Sequence, residues 1–194
     1  MPNFYQSHAT EYHDRTFVVD PTSFLLPLAD RLSAGALVLD VGCGSGRDLL
    51  WLKNRGFMVA GFDRSPTLAK LTRKNAGCEV IEGDFTTHDF SAIRTDAVIL
   101  IGALVHVPPA NFVAVLRNIA AALKVGGLML ITVKEGDGRS DGADGRTFYL
   151  YRDADLRAVF AALGFTVLDF SSDVSAMGTG EIWLRYLLKK DGLS

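Results

Sequence analysis

The nine residues Val38 to Gly46 read VLDVGCGSG, and they constrain the fold more than any other stretch of the chain. A short apolar strand, Ala36 to Val41, runs straight into three alternating glycines, Gly42, Gly44 and Gly46. Beyond them Leu49, Leu50 and Leu52 fall at helical spacing from Arg47 to Arg55. A strand that turns directly into a helix through glycines belongs to α/β architecture. The glycines let the backbone turn sharply and pass close to a ligand with no Cβ in the way. This reading expects a cleft with free backbone amides and no side-chain wall.

The alternation continues down the chain. Phe57 to Asp63 reads as a second strand, and Ser65 opens a helix with Pro66 at its first position. Cys78 to Ile81 is a third, shorter strand. Asp96 to Ile101 is a fourth, continuously apolar as a strand covered on both faces should be. Pro109 to Leu123 has helical periodicity, Gly126-Gly127 stops it, and Leu128 to Val133 is strand five. Glu135 to Arg146 is a Gly/Asp-rich loop, followed by Thr147 to Tyr151 and a helix from Asp153 to Leu163. Phe165 to Phe170 and Glu181 to Lys189 have no helix-length segment between them and read as an antiparallel pair. The expected fold is α/β: a doubly wound, Rossmann-like, mostly parallel sheet of seven strands with an antiparallel C-terminal strand pair. Ahead of it, Phe4 to Arg31 reads as two short helices broken near Asp20-Pro21.

At 194 residues one domain is expected over 1–194. Twenty basic against 22 acidic residues give a formal charge of −2, which offers no footprint for a polyanion and excludes nucleic acid as the expected partner. Cys43 and Cys78 are too few for a disulfide framework and lack zinc spacing. No apolar run approaches the roughly 20 residues of a membrane span, and the N-terminus is polar where a secretory signal would be apolar. A cytoplasmic protein without membrane contact is expected; the oligomeric state stays open.

The spacing of the glycines bears on the ligand. A dinucleotide site wants G-x-G-x-x-G, whereas G-x-G-x-G stands here, with Asp40 two residues before the first glycine. A carboxylate beside the cleft repels a pyrophosphate and suits a cation. S-adenosylmethionine carries a sulfonium and an ammonium and has no phosphate.

From about Val38 to Val133 the sequence resembles the class I S-adenosylmethionine-dependent methyltransferases, in four motifs that occur in order. VLDVGCGSG resembles the first motif, so the resemblance implies that Asp40, Gly42, Cys43, Gly44 and Gly46 border the methionine part of the cofactor. Asp63 matches the acid that chelates both ribose hydroxyls, with Arg64 beside it. GDF at Gly83 to Phe85 matches the adenine motif, with Asp84 as acceptor for the adenine amino group and Phe85 supplying an amide and an apolar face. LKVGGLMLI, Leu123 to Ile131, resembles a segment that usually reads LKPGG; Val125 replaces the proline. The resemblance divides the domain into a helical lid or flank (1–33), a cofactor-binding core (34–134) and a substrate side (135–194). It implies S-adenosylmethionine as cofactor, with S-adenosylhomocysteine as product, and no metal.

Nearer the transferred methyl, the carbonyls of Gly102-Ala103-Leu104 are expected to accept from the cofactor's ammonium. His106 follows, either as a loop histidine that packs or caps the next helix, or as the general base. Tyr5 or Tyr12 of the N-terminal segment is expected to face the cofactor; Tyr12 is assigned to it and Tyr5 to the substrate side. Arg47 resembles the GxGR of tellurite-resistance and thiopurine methyltransferases, where it would meet a carboxylate of cofactor or substrate, unless it pairs with Asp48. Arg146, Tyr149 and Tyr151 are candidate substrate contacts. The loop from Asp137 does not read as a calcium site, because Arg139 and Phe148 occupy positions that need acids. The expected function is methyl transfer to an oxygen, nitrogen or sulfur of a small molecule. The rivals are a catalytically inactive S-adenosylmethionine-binding protein and an NAD(P)-dependent oxidoreductase.

Overall fold

The structure, a computed structural model, describes residues 4–142 and 144–192. Three short helices come first: α1 (Phe4–Ser7), α2 (Ala9–Thr16) and α3 (Thr22–Ala29). The first of the two expected helices is thus interrupted at His8. The break before α3 lies where Asp20-Pro21 was expected to put it, and Asp20 Oδ1 accepts from both the amide and the hydroxyl of Thr22.

The α/β core follows as β1 (Leu37–Val41), α4 (Arg47–Lys53), β2 (Met58–Asp63), α5 (Pro66–Ala76), β3 (Glu79–Glu82) and β4 (Thr95–Ile101). Helix α5 begins as the sequence expects: Ser65 is its N-cap, accepting from the Leu68 amide, with Pro66 in the first turn. After a 3₁₀ turn over Leu104–His106 come α6 (Pro109–Ala120), β5 (Leu123–Glu135), β6 (Arg139–Asp141), β7 (Thr147–Tyr151), α7 (Asp153–Ala162), β8 (Phe165–Val174) and β9 (Ile182–Lys190).

The strands run in the order β3-β2-β1-β4-β5, all parallel. β9 then pairs antiparallel with β5, Leu128 opposite Lys189 through Lys134 opposite Trp183, and β8 pairs antiparallel with β9. This is the expected seven-strand plan, with two added strands, one in the Gly/Asp-rich segment and one directly after it. Arg139–Asp141 pairs antiparallel with Thr147–Tyr149 of β7, so the segment is a flap rather than a loop throughout. β7 itself joins the tip of β5 at Lys134 and Glu135. A further difference lies at Leu123, which already pairs with Thr95; the residues after α6 are extended before Gly126 is reached.

Helices cover both faces. Leu25 and Leu28 of α3 and Leu52 of α4 pack on Val38, Ala97, Ile99 and Leu130. On the other face Leu116 and Ile119 of α6 and Phe160 of α7 pack on Leu39, Val98, Leu100 and Ile131. Strands buried on both sides are why Asp96 to Ile101 is apolar without alternation. All parallel strand tips are thereby held at one edge of the sheet, where α/β folds bind ligands.

Candidate cofactor and active site

The turn after β1 is held by strain-free glycines: Gly42, Gly44 and Gly46 have φ of +85°, +56° and +84°, values open to glycine and costly to other residues. Gly42 is also sterically required, because a Cβ there would stand 2.8 Å from the Ala103 Cβ at the tip of β4. The amides of this turn are not free, contrary to expectation. Those of Gly42 and Cys43 donate to the Phe62 carbonyl, that of Gly44 to Asp63 Oδ2 at 2.9 Å, and that of Gly46 to the Cys43 carbonyl. A backbone this tightly turned satisfies its own donors, so the turn does not present four free anion-binding amides.

Asp63 ends β2 and is 8% exposed. Its Oδ1 accepts from the Ser65 amide and its Oδ2 from Gly44, tying the tips of β1 and β2 together. A carboxylate has about four acceptor positions, and with the Arg64 amide also bonding Asp63 one is left for a ligand hydroxyl. Asp40, in the middle of this cluster, is 2% exposed. Burial first, then the negative charges of Asp48 and Asp63, hold its carboxyl well above the usual carboxylate range. Burial likewise pushes Asp63 up, against the amides it accepts from. Arg47 does not relieve Asp40 by direct contact. It forks onto Asp48 at 2.7 and 3.0 Å, reaches the Thr16 carbonyl and lies over Phe24, joining α4 to the N-terminal helices. Asp40, Asp48 and Asp63 thus form a buried acidic cluster whose mutual repulsion a nearby cation would relieve.

At the β3 tip, Asp84 Oδ1 accepts from the amide and hydroxyl of Thr86, and Oδ2 lies 3.7 Å from Arg64. Burial alone would raise its pKa; the Thr86 bonds and the Arg64 charge outweigh it and hold the carboxyl below its ordinary value. Asp84 is therefore a turn cap whose second oxygen faces a cation, and Phe85 packs half-buried against the main core. The Cys43 side chain points away from the cleft, into a small cluster with Leu49, Ala69 and Val80.

At β4, Gly102 takes φ +65° and donates its amide to Thr132 Oγ1. Two of the three carbonyls expected to meet an ammonium close the 3₁₀ turn instead: Ala103's accepts from His106 and Leu104's from Val107. His106 stands where the N-terminal helices, the β4 tip and the flap meet. Its Nδ1 is 2.9 Å from the Thr147 carbonyl, which can only accept, so Nδ1 carries the proton. Nε2 then accepts from the Tyr5 hydroxyl at 2.7 Å. Burial, joined by the charges of Arg146, Arg64 and Lys134, lowers the His106 pKa, so the ring is neutral at pH 7.

The N-terminal helices close over the site. Tyr12 rests on the glycine turn, its Cε1 3.3 Å from where a Gly44 Cβ would be, and burial pushes its hydroxyl pKa up. Tyr5 stacks edge-on against Tyr12, and Gln6 bonds Ser65 and Thr67 of α5. Arg146 reaches the same cluster from the flap, while Tyr149 packs half-buried against the core. Tyr151 does not reach the cleft: it is 7% exposed, stacks on Phe112 and donates to the Val107 carbonyl. Thr147, Asp144, Thr132 and Gln6 escaped the sequence reading, since only chain folding brings them to the site. Among the described residues no cluster of His, Cys, Asp and Glu is arranged to hold a metal ion, and no helix is long and apolar enough to cross a membrane.

Residues 38–127 match the family described as "Methyltransferase domain". The chain is 32% identical over 119 residues to carboxy-S-adenosyl-L-methionine synthase of Chromohalobacter salexigens, covering 55% of this chain and 43% of that protein. It is 34% identical over 105 residues to ubiquinone biosynthesis O-methyltransferase of Xanthomonas oryzae, covering 51% and 43%. The matches thus span less than half the length of these curated relatives. In fold it is similar to Burkholderia thailandensis 1,6-didemethyltoxoflavin-N1-methyltransferase, solved with S-adenosylhomocysteine, at TM-score 0.75 and 24% identity over 97% of this chain and 84% of that one. Residues 38–127, somewhat under half of the chain, thus match a methyltransferase domain, and the fold around them is similar to that of a methyltransferase of known structure.

Proposed function

We propose that the protein binds S-adenosylmethionine and transfers its methyl group to an oxygen, nitrogen or sulfur nucleophile of a small molecule. The observation that carries this reading is the carboxylate set at the tips of β1 and β2, Asp40 and Asp63 with Asp48, around a turn whose own amides are engaged. A pyrophosphate needs donors and a positive field there; a sulfonium and an ammonium need the reverse. This argues against the nicotinamide alternative.

The residues fit the cofactor part by part. The glycine turn and Asp40 would border its cationic end, the acceptor position left on Asp63 its ribose hydroxyls, and Asp84 with Phe85 its adenine. Bound there, it supplies an already activated methyl. The protein's share is alignment and exclusion of water, which can contribute on the order of 7–11 kcal/mol. Tyr5, Tyr12 and Phe4 of the N-terminal helices would exclude water, and neutral His106 would hold the proton that a protic nucleophile gives up. Arg146 and Tyr149 on the flap would border the substrate. The formal charge of −2 favours a small molecule over nucleic acid. Both cysteines are free thiols, the state a reducing cytoplasm maintains, and we place the protein there.

The test is incubation of the whole chain with methyl-labelled donor and a panel of phenols, heterocyclic amines and thiols. Label in an extracted small product supports the reading. Donor that binds and survives the whole panel makes the chain a donor-binding protein instead. That arm matters because one relative is named a synthase.

A further inference from the structure

We propose that Arg146 is a positioning residue that fixes the Tyr5 hydroxyl on His106, making Tyr5 the group that meets the nucleophile and His106 the store for its proton. The second half rests on the methyl-transfer reading; the first does not.

The five groups form one chain of contacts across residues far apart in sequence. Asp144 Oδ2 accepts from Nε and Nη2 of Arg146 at 2.9 and 2.6 Å, and Asp144 Oδ1 accepts from the Arg146 amide. The guanidinium lies between the rings of Phe4 and Phe148, 4.7 and 5.0 Å from their centroids. Held in this way, its Nη1 donates to the Tyr5 hydroxyl at 3.3 Å. Tyr5 donates to His106 Nε2, and His106 donates from Nδ1 to the Thr147 carbonyl. The flap thereby orients a side chain of the N-terminal helix. Donation from a cation also favours negative charge on the phenol oxygen, opposing the burial that pushes Tyr5 up.

Neither imidazole nitrogen has an open position in this arrangement. A proton arriving from a nucleophile reaches Nε2 through Tyr5, whose oxygen keeps a lone pair beyond its bonds to His106 and Arg146. Tyr5 also stands on the correct side, with its ring against Tyr12, which rests on the glycine turn. As the bond from nucleophile to methyl forms, the nucleophile's proton passes to the Tyr5 oxygen and the phenol's own proton to Nε2. His106 becomes an imidazolium that retains the Thr147 carbonyl. The electron pair of the broken carbon–sulfur bond leaves with the donor's sulfur, so charge and protons balance.

The first test needs no substrate. Whole protein carrying ¹⁵N-histidine is compared by NMR as wild type, Tyr5→Phe, Arg146→Ala and Asp144→Asn. Tyr5→Phe should move the His106 Nε2 resonance, and Arg146→Ala should move it in the same direction by at least half as much. Asp144→Asn repeats the test by loosening the fork should the alanine variant fail to fold. An Nε2 signal unmoved in both Arg146→Ala and Asp144→Asn, while Tyr5→Phe shifts it, would overturn the positioning role. With an acceptor from the panel, Tyr5→Phe should lower kcat roughly 100-fold with the donor's KM unchanged. Turnover within threefold of wild type, with His106→Ala inactive, would overturn the relay by showing that the nucleophile reaches the imidazole directly. Failure of the donor to bind would overturn the nucleophile's part and leave the NMR result standing.

Discussion

The Tyr5 hydroxyl lies 2.7 Å from His106 Nε2, a hydrogen bond that joins α1 to the 3₁₀ turn after β4. Because the Thr147 carbonyl holds the other ring nitrogen, the bond also defines which tautomer His106 adopts. A histidine that merely capped α6 would not need its two nitrogens held by two distant segments.

His106 works as an acceptor only while neutral. Its pKa lies below the ordinary histidine value, so turnover should be flat near pH 7 and fall as the pH drops below about 6.5, when the ring takes up a proton. His106→Ala should abolish that acid limb and lower turnover by about 10²–10⁴-fold, with donor affinity unchanged in a binding titration. An unaltered rate would return His106 to a packing role.

Asp40 predicts opposite effects on stability and binding. A carboxyl that holds its proton more tightly folded than unfolded destabilises the fold as pH rises from the usual carboxylate range through its raised pKa. Asp40→Asn should therefore raise Tm at neutral pH by about 2–4 °C for each kcal/mol relieved, while weakening binding of the cationic donor. In the wild type, donor affinity should increase with pH as Asp40 ionises. Melting curves and binding isotherms across pH 5 to 8 check both signs.

Asp63→Ala should weaken donor binding by about 1–3 kcal/mol, the scale for losing a charged acceptor, as read by equilibrium dialysis. The variant should also melt lower, because the amides of Gly44 and Ser65 lose their partner. Asp63→Asn keeps the shape and should recover much of the stability and less of the affinity.

Gly42→Ala forces a Cβ to 2.8 Å from Ala103 at a φ of +85°. The expected cost is on the order of 1–3 kcal/mol, visible as a lower denaturation midpoint. Gly35→Ala, whose Cβ would meet nothing within 4 Å at a φ of +73°, separates backbone strain from the clash and should cost less.

What the chain revealed beforehand was whatever is encoded locally. The glycine turn, Ser65-Pro66 and the apolar run of β4 are signals a few residues long, and each lies in the expected element. Asp63 and Asp84 were legible because a motif ties each to a strand end. The engaged amides of the turn were not, since their acceptors, Phe62 and Asp63, lie on the next strand. Pairing of Arg139–Asp141 with β7 was hidden because the segment is rich in Gly and Asp, which read as loop. Tyr5, His106 and Arg146 were each singled out, but their meeting depends on contacts 101 and 141 residues apart that no spacing encodes.

The central claim is that the acidic residues at the tips of β1, β2 and β3 take a cationic nucleoside. Calorimetric titration of the intact protein with S-adenosylmethionine, and in parallel with NADH, tests it most directly. Saturable binding of one equivalent of S-adenosylmethionine with no heat from NADH is the predicted result. Saturation by NADH, or no response to the methyl donor at any pH from 6 to 8, would contradict the account.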